Sequence, residues 1–72
     1  MMSKQSLLLQ CLEAAGRAAG GEDRWVSARA VARRLSPTAN HEAVARELTR
    51  LHHVGLIEVW FKGGHTYYRN AG

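Results

Sequence analysis

Seventy-two residues, of which 46% are apolar and 22% charged, make one small globular domain and exclude a chain that is disordered by composition. The single Cys11 excludes an internal disulfide framework, and with no second cysteine nearby it suggests neither a metal cluster nor an oxidising compartment. The formal net charge is +4 at pH 7, unevenly placed: residues 24–53 hold six arginines against two glutamates, while residues 1–23 hold more acids than bases.

At the N-terminus, Met1-Met2-Ser3-Lys4 before Leu7-Leu8-Leu9 has the outline of an export signal. The apolar run stops at Gln10, far short of the apolar stretch such signals need. Leu9 and Gln10 before Cys11 also lack the small residue that a lipoprotein site uses, and no segment is long enough to span a membrane. The expected location is the cytoplasm, with the nucleoid if the chain binds DNA.

Ser3 is a good N-cap for a first helix over about 4–19. Leu8, Cys11, Leu12, Ala15 and Ala19 form one apolar stripe at helical spacing, widened by Leu7 and Leu9. Gly20-Gly21 should end this helix and open a polar loop through Arg24. Trp25-Val26 is too short for an independent strand but can pair as a third strand beside a later hairpin.

Ser27 caps a second helix over 27–35, with Ala28, Val31, Ala32 and Leu35 inward. Arg29 and Arg33 are then left together on its outer face. Pro37 disfavours helical geometry in Ser36, so Ser36-Pro37-Thr38-Ala39 is the turn of a helix-turn-helix. A third helix over about 40–53 starts on Asn40 and packs Val44, Leu48 and Leu51 inward. At about 100° per residue, Glu42, Arg46, Thr49 and His53 lie opposite that stripe, flanked by Ala45 and Arg50. Long basic donors, a hydroxyl and a small alanine on one face suit close approach to base edges.

Val54-Gly55-Leu56-Ile57 leaves this helix for a hairpin, a wing over about 56–69. Gly63-Gly64 as a two-residue loop allows the positive φ angles of tight hairpin turns. It pairs Lys62 with His65, Phe61 with Thr66, Trp60 with Tyr67, Val59 with Tyr68 and Glu58 with Arg69. The face with Ile57, Val59, Phe61, Thr66 and Tyr68 carries more apolar side chains and is assigned to the core, which leaves Trp60 and Tyr67 outside.

Leu48-Thr49-Arg50-Leu51, then Gly55-Leu56-Ile57, then Tyr67-Tyr68-Arg69 resembles the L-x-x-L…G-L-[IV]…Y-Y-R pattern of bacterial winged-helix regulators of the ArsR-like and MarR-like groups. The resemblance spans about residues 27–70. It implies an α+β winged helix: three helices with a helix-turn-helix, then the hairpin wing, with the third helix in a DNA major groove and the wing tip on the backbone or a minor groove. The chain departs from those families in lacking the flanking helices through which they dimerise and the cysteine or histidine cluster of their metal sensors, so metal sensing is not carried over.

The candidate duplex-contacting residues are therefore Arg29 and Arg33 toward phosphates, then Asn40, His41, Glu42, Ala45, Arg46, Thr49, Arg50 and His53 on the third helix, and Lys62, Gly63, Gly64 and His65 at the wing tip. Trp60 and Tyr67, or else Leu7 and Leu9, are candidate interface residues for a homodimer or a protein partner. Neighbouring His52 and His53 point about 100° apart and cannot chelate as an i, i+4 pair would, so no metal or other cofactor is expected. No carboxylate is set beside a histidine and a nucleophile, and Gly63-Gly64 lacks the Lys-Ser/Thr of a phosphate loop, so neither catalysis nor a small-molecule ligand is expected. The leading expectation is a sequence-specific double-stranded DNA-binding transcriptional regulator. The alternatives are a winged-helix protein-interaction module using the wing aromatics, and a stacking surface for RNA or unpaired DNA.

Overall fold

Each helix begins on a small polar residue that satisfies amide groups the helix itself leaves open. The computed structural model describes residues 3–19 and 24–71. Ser3 Oγ accepts from the Ser6 amide at 3.0 Å and opens α1 (Lys4–Ala19). Ser27 Oγ accepts from Ala30 N–H at 3.2 Å and opens α2 (Ala28–Leu35). Asn40 Oδ1 accepts from Glu42 N–H at 2.8 Å and opens α3 (His41–His53). The turn between α2 and α3 closes through Ala39 N–H to the Ser36 carbonyl at 3.1 Å. The expected stop at Gly20-Gly21 and most of the loop after it lie outside the described residues.

α3 ends in a Schellman arrangement. Leu56 N–H reaches back to the Leu51 carbonyl and Gly55 N–H to the His52 carbonyl, both at 3.0 Å. Gly55 takes φ +83°, which turns the chain directly into β1 (Ile57–Lys62). Gly63 and Gly64 both have positive φ, 58° and 81°, as a type I′ turn needs, and β2 (His65–Asn70) returns antiparallel. The register pairs Lys62 with His65, Trp60 with Tyr67 and Glu58 with Arg69, as the Gly-Gly loop requires, and extends to Ile57 opposite Asn70.

The architecture is thus α+β, three helices followed by a two-stranded antiparallel sheet. The third strand expected at Trp25-Val26 is reduced to one antiparallel bridge. Val26 N–H donates to the Tyr68 carbonyl at 3.0 Å and Tyr68 N–H to the Val26 carbonyl at 2.7 Å. No helix among the described residues is long and apolar enough to cross a membrane.

The core joins Leu8, Cys11, Leu12 and Ala15 of α1 to Val31 and Ala32 of α2, to Val44, Leu48 and Leu51 of α3, and to Val26, Ile57 and Tyr68. Three inward assignments need correction. Ala19, at the end of the α1 stripe, is exposed and borders an open hollow between α1 and α2 rather than packed core. Leu9 packs partly against the core, whereas Leu7 stays 41% exposed. Phe61 is 76% exposed although it shares a sheet face with Ile57 and Tyr68. A strand rises about 3.3 Å per residue, so Phe61 sits some 13 Å beyond Ile57, past the edge of the helices.

Two substitutions should separate packing from backbone conformation. Leu48→Ala empties a fully buried site and is expected to cost about 2–5 kcal/mol. Gly55→Ala meets no atom within 4 Å, yet should cost about 1–2 kcal/mol through the left-handed φ alone. Urea unfolding of both variants beside the wild type measures each. A Gly55→Ala protein as stable as wild type would show that the α3 exit tolerates a side chain.

Candidate nucleic-acid interface

The inward stripe of α3 decides which of its residues face out. With Val44, Leu48 and Leu51 buried, His41, Glu42, Arg46, Thr49, Arg50 and His53 are exposed and Ala45 is half-buried. Arg46 makes no ion pair with any described residue. Arg50 holds Glu47 at 3.0 Å, an exposed i, i+3 pair worth only a few tenths of a kcal/mol. Glu47 is thereby neutralised locally, and Glu42 remains as the acid on this face.

Two side chains expected to face DNA are engaged inside the protein. The Asn40 oxygen caps its own helix. Thr49 Oγ1 donates to the Ala45 carbonyl one turn back at 2.9 Å. That bond stays within α3 and occupies the hydroxyl proton, which the position of Thr49 on the helical wheel did not signal. His52, considered from sequence only as a metal ligand, places Nδ1 3.1 Å from the Ile57 carbonyl and holds the end of α3 to the start of β1.

The structure does not gather the remaining candidates at one point. Arg29 is exposed on α2, and Arg33 lines, with Arg34, a hollow of about 470 Å³ that also involves Trp25 and Tyr67. Lys62, Gly63, Gly64 and His65 are exposed at the hairpin tip. Trp60 and Tyr67 lie on the sheet face away from the core with ring centroids 6.0 Å apart, and Trp60 is 42% exposed. Trp25 joins them at 5.6 Å from Trp60, with the Arg69 guanidinium 4.4 Å above its ring. Sequence reasoning missed Trp25 as a member of this group because the pairing rules of a hairpin do not reach 35 residues back along the chain. Phe61, exposed beside the tip, was missed as a surface residue too.

Among the described residues, no group of three or more His, Cys, Asp and Glu side chains is placed to hold a metal ion. No family model, curated protein or solved structure matches this chain.

Burial pushes the Tyr68 hydroxyl above the ordinary tyrosine pKa, with the neighbouring Thr49 side chain opposing in part. The fold therefore favours the neutral phenol. Its contribution is complete below the unfolded pKa of about 10 and is lost as pH rises through the higher folded value. Urea midpoints of wild type should accordingly fall more steeply between about pH 9 and pH 11 than those of Tyr68→Phe. Parallel curves would mean that the hydroxyl is as well solvated folded as unfolded.

Proposed function

We propose that this chain is a winged-helix regulator that binds double-stranded DNA sequence-specifically, with α3 in the major groove and the β1–β2 tip on the backbone or minor groove. One observation carries the reading. The α3 face opposite the buried stripe is left uncovered by every other described element, and it carries Arg46 with its charge uncompensated. A helix that short, held by a cap at its start and a hairpin at its end, presents a rigid edge of the width a major groove admits. Arg46 is the side chain best placed to read a base edge, with Ala45 beside it allowing close approach. Arg29 on α2 and Lys62 and His65 at the tip are suited to phosphates, which fix register without carrying sequence information.

This reading places the protein in the cytoplasm on the nucleoid and assigns it no catalytic step, cofactor or small-molecule ligand. Its affinity should be electrostatic at base. With about four to six phosphate contacts, the logarithm of the binding constant should fall against log salt with a slope of roughly −4 to −5. Glu42 tempers the potential of the face, but a glutamate there can accept a hydrogen bond from the cytosine amino group.

The test is a selection of preferred sites from random duplexes, followed by affinity measurements on the best site and on random DNA. Arg46→Ala is expected to lose about 1–3 kcal/mol on the selected site and less on random DNA, whereas Arg29→Ala should weaken both about equally. A salt titration with no slope, or a selection that enriches nothing, would remove the duplex reading.

A further inference from the structure

The outer face of the hairpin is a second surface, separate from α3. Trp25, Trp60 and Tyr67 form a contiguous aromatic floor, with neighbouring ring centroids 5.6 and 6.0 Å apart. The ring of His65 continues it at 6.4 Å from Tyr67. Cations stand at both ends of the floor. At the tip end, Lys62 and His65 line a hollow of about 390 Å³ over Trp60, and the Lys62 ammonium lies 5.2 Å from the Trp60 ring centroid. At the other end, Arg33 and Arg34 line the hollow that shares Trp25 and Tyr67. Neither arginine is in an ion pair with a described residue.

Two occupants compete for such a face, and charge separates them. A second copy brought face to face would set the Lys62, Arg33 and Arg34 cations of one copy against cations of the other, with Glu58, already paired to Arg69 at 3.2 Å, the carboxylate on that sheet face. Like charges brought together in this way oppose self-association. An unpaired nucleic-acid strand meets the opposite condition. Each base offers a flat face to an indole or phenol ring, and the phosphates between bases fall to the cations at either end.

We infer that the Trp25–Trp60–Tyr67 face binds unpaired nucleotides of a DNA strand, bases stacked on the rings and phosphates held by Lys62 at one end and Arg33 and Arg34 at the other. The choice of DNA over RNA rests on the duplex reading above, since the tip residues Lys62 and His65 border both surfaces. The stacking surface itself does not depend on it. A strand leaving an open or melted duplex at the hairpin tip would run directly onto the aromatic floor. Trp60 is the residue most exposed for stacking, and Trp25 and Tyr67, each half-buried, brace it from below.

The test uses the full chain and a labelled oligothymidylate of about ten nucleotides, a length in the range single-strand sites occupy. An abasic chain of equal length, an oligouridylate and a hairpin duplex serve as comparisons. Oligothymidylate should bind and quench tryptophan fluorescence, and the abasic chain should bind at least about tenfold more weakly. Trp60→Ala should weaken oligothymidylate binding about five- to a hundredfold and leave duplex affinity unchanged, with Trp60→Phe recovering most of the loss. Arg34→Ala should weaken the abasic chain and the oligothymidylate alike. Arg46→Ala should affect the duplex alone, so failure of the duplex reading and failure of this one give different patterns. Equal binding of the abasic chain, or loss of strand binding with Arg46→Ala, overturns the proposal. So does a wild type that sediments as a dimer and becomes a monomer with Trp60→Ala, since a second copy would then own the face. Tighter binding of oligouridylate than of oligothymidylate overturns the assignment to DNA.

Discussion

Tyr68 is the residue through which the separate parts of this small chain are held together. Its backbone exchanges two hydrogen bonds with Val26 and pairs across the hairpin with Val59. Its side chain is 4% exposed, inside the core cluster that includes Val44, Leu48 and Leu51 of α3. One position thus joins the segment before α2, both strands and the candidate recognition helix. A hairpin alone is marginal in water, and a chain of this length buries only about three-fifths of its unfolded surface. The hairpin is therefore stable only because its base is built into the helical core, and Tyr68 and Ile57 are the side chains that do so.

That anchoring has a consequence for the surface. The sheet is buried at its base and bare at its tip, so side chains on both faces of the outer half are open to solvent. On the face away from the core this leaves the indole of Trp60 and the rings that lean on it. On the other side, the buried stripe of α3 turns its opposite face outward with Arg46 at its centre. The protein thereby presents two chemically different surfaces. One is polar and basic along a helix, suited to the proposed duplex contact. The other is aromatic with cations at its ends, suited to flat bases. Neither is an enclosed pocket.

The hydrogen bonds of the α3 region also divide its side chains by role. Asn40 and Thr49 are polar residues on or near the outer face, yet each serves the helix itself, one as a cap and one through a bond to the carbonyl a turn back. Arg46 has no such employment. The distinction narrows the set of side chains available for the proposed base contacts.

Local rules were enough for much of this. The three helix starts follow from Ser3, Ser27 and Asn40, the hairpin register from Gly63-Gly64 and the alternation of side chains, and the buried stripes of α2 and α3 from helical spacing, because each depends on residues a few positions apart. The exposed face of α3 and the outward placement of Trp60 and Tyr67 were legible for the same reason. What the sequence could not reveal was where distant segments meet. The exposure of Phe61 depends on how far the hairpin extends past the helices, and the contact of Trp25 with Trp60 on the path of the chain into α2. Alternation assigns a side chain to a face of the sheet. Only the tertiary packing decides whether anything lies against that face, since burial is set by contacts remote in sequence.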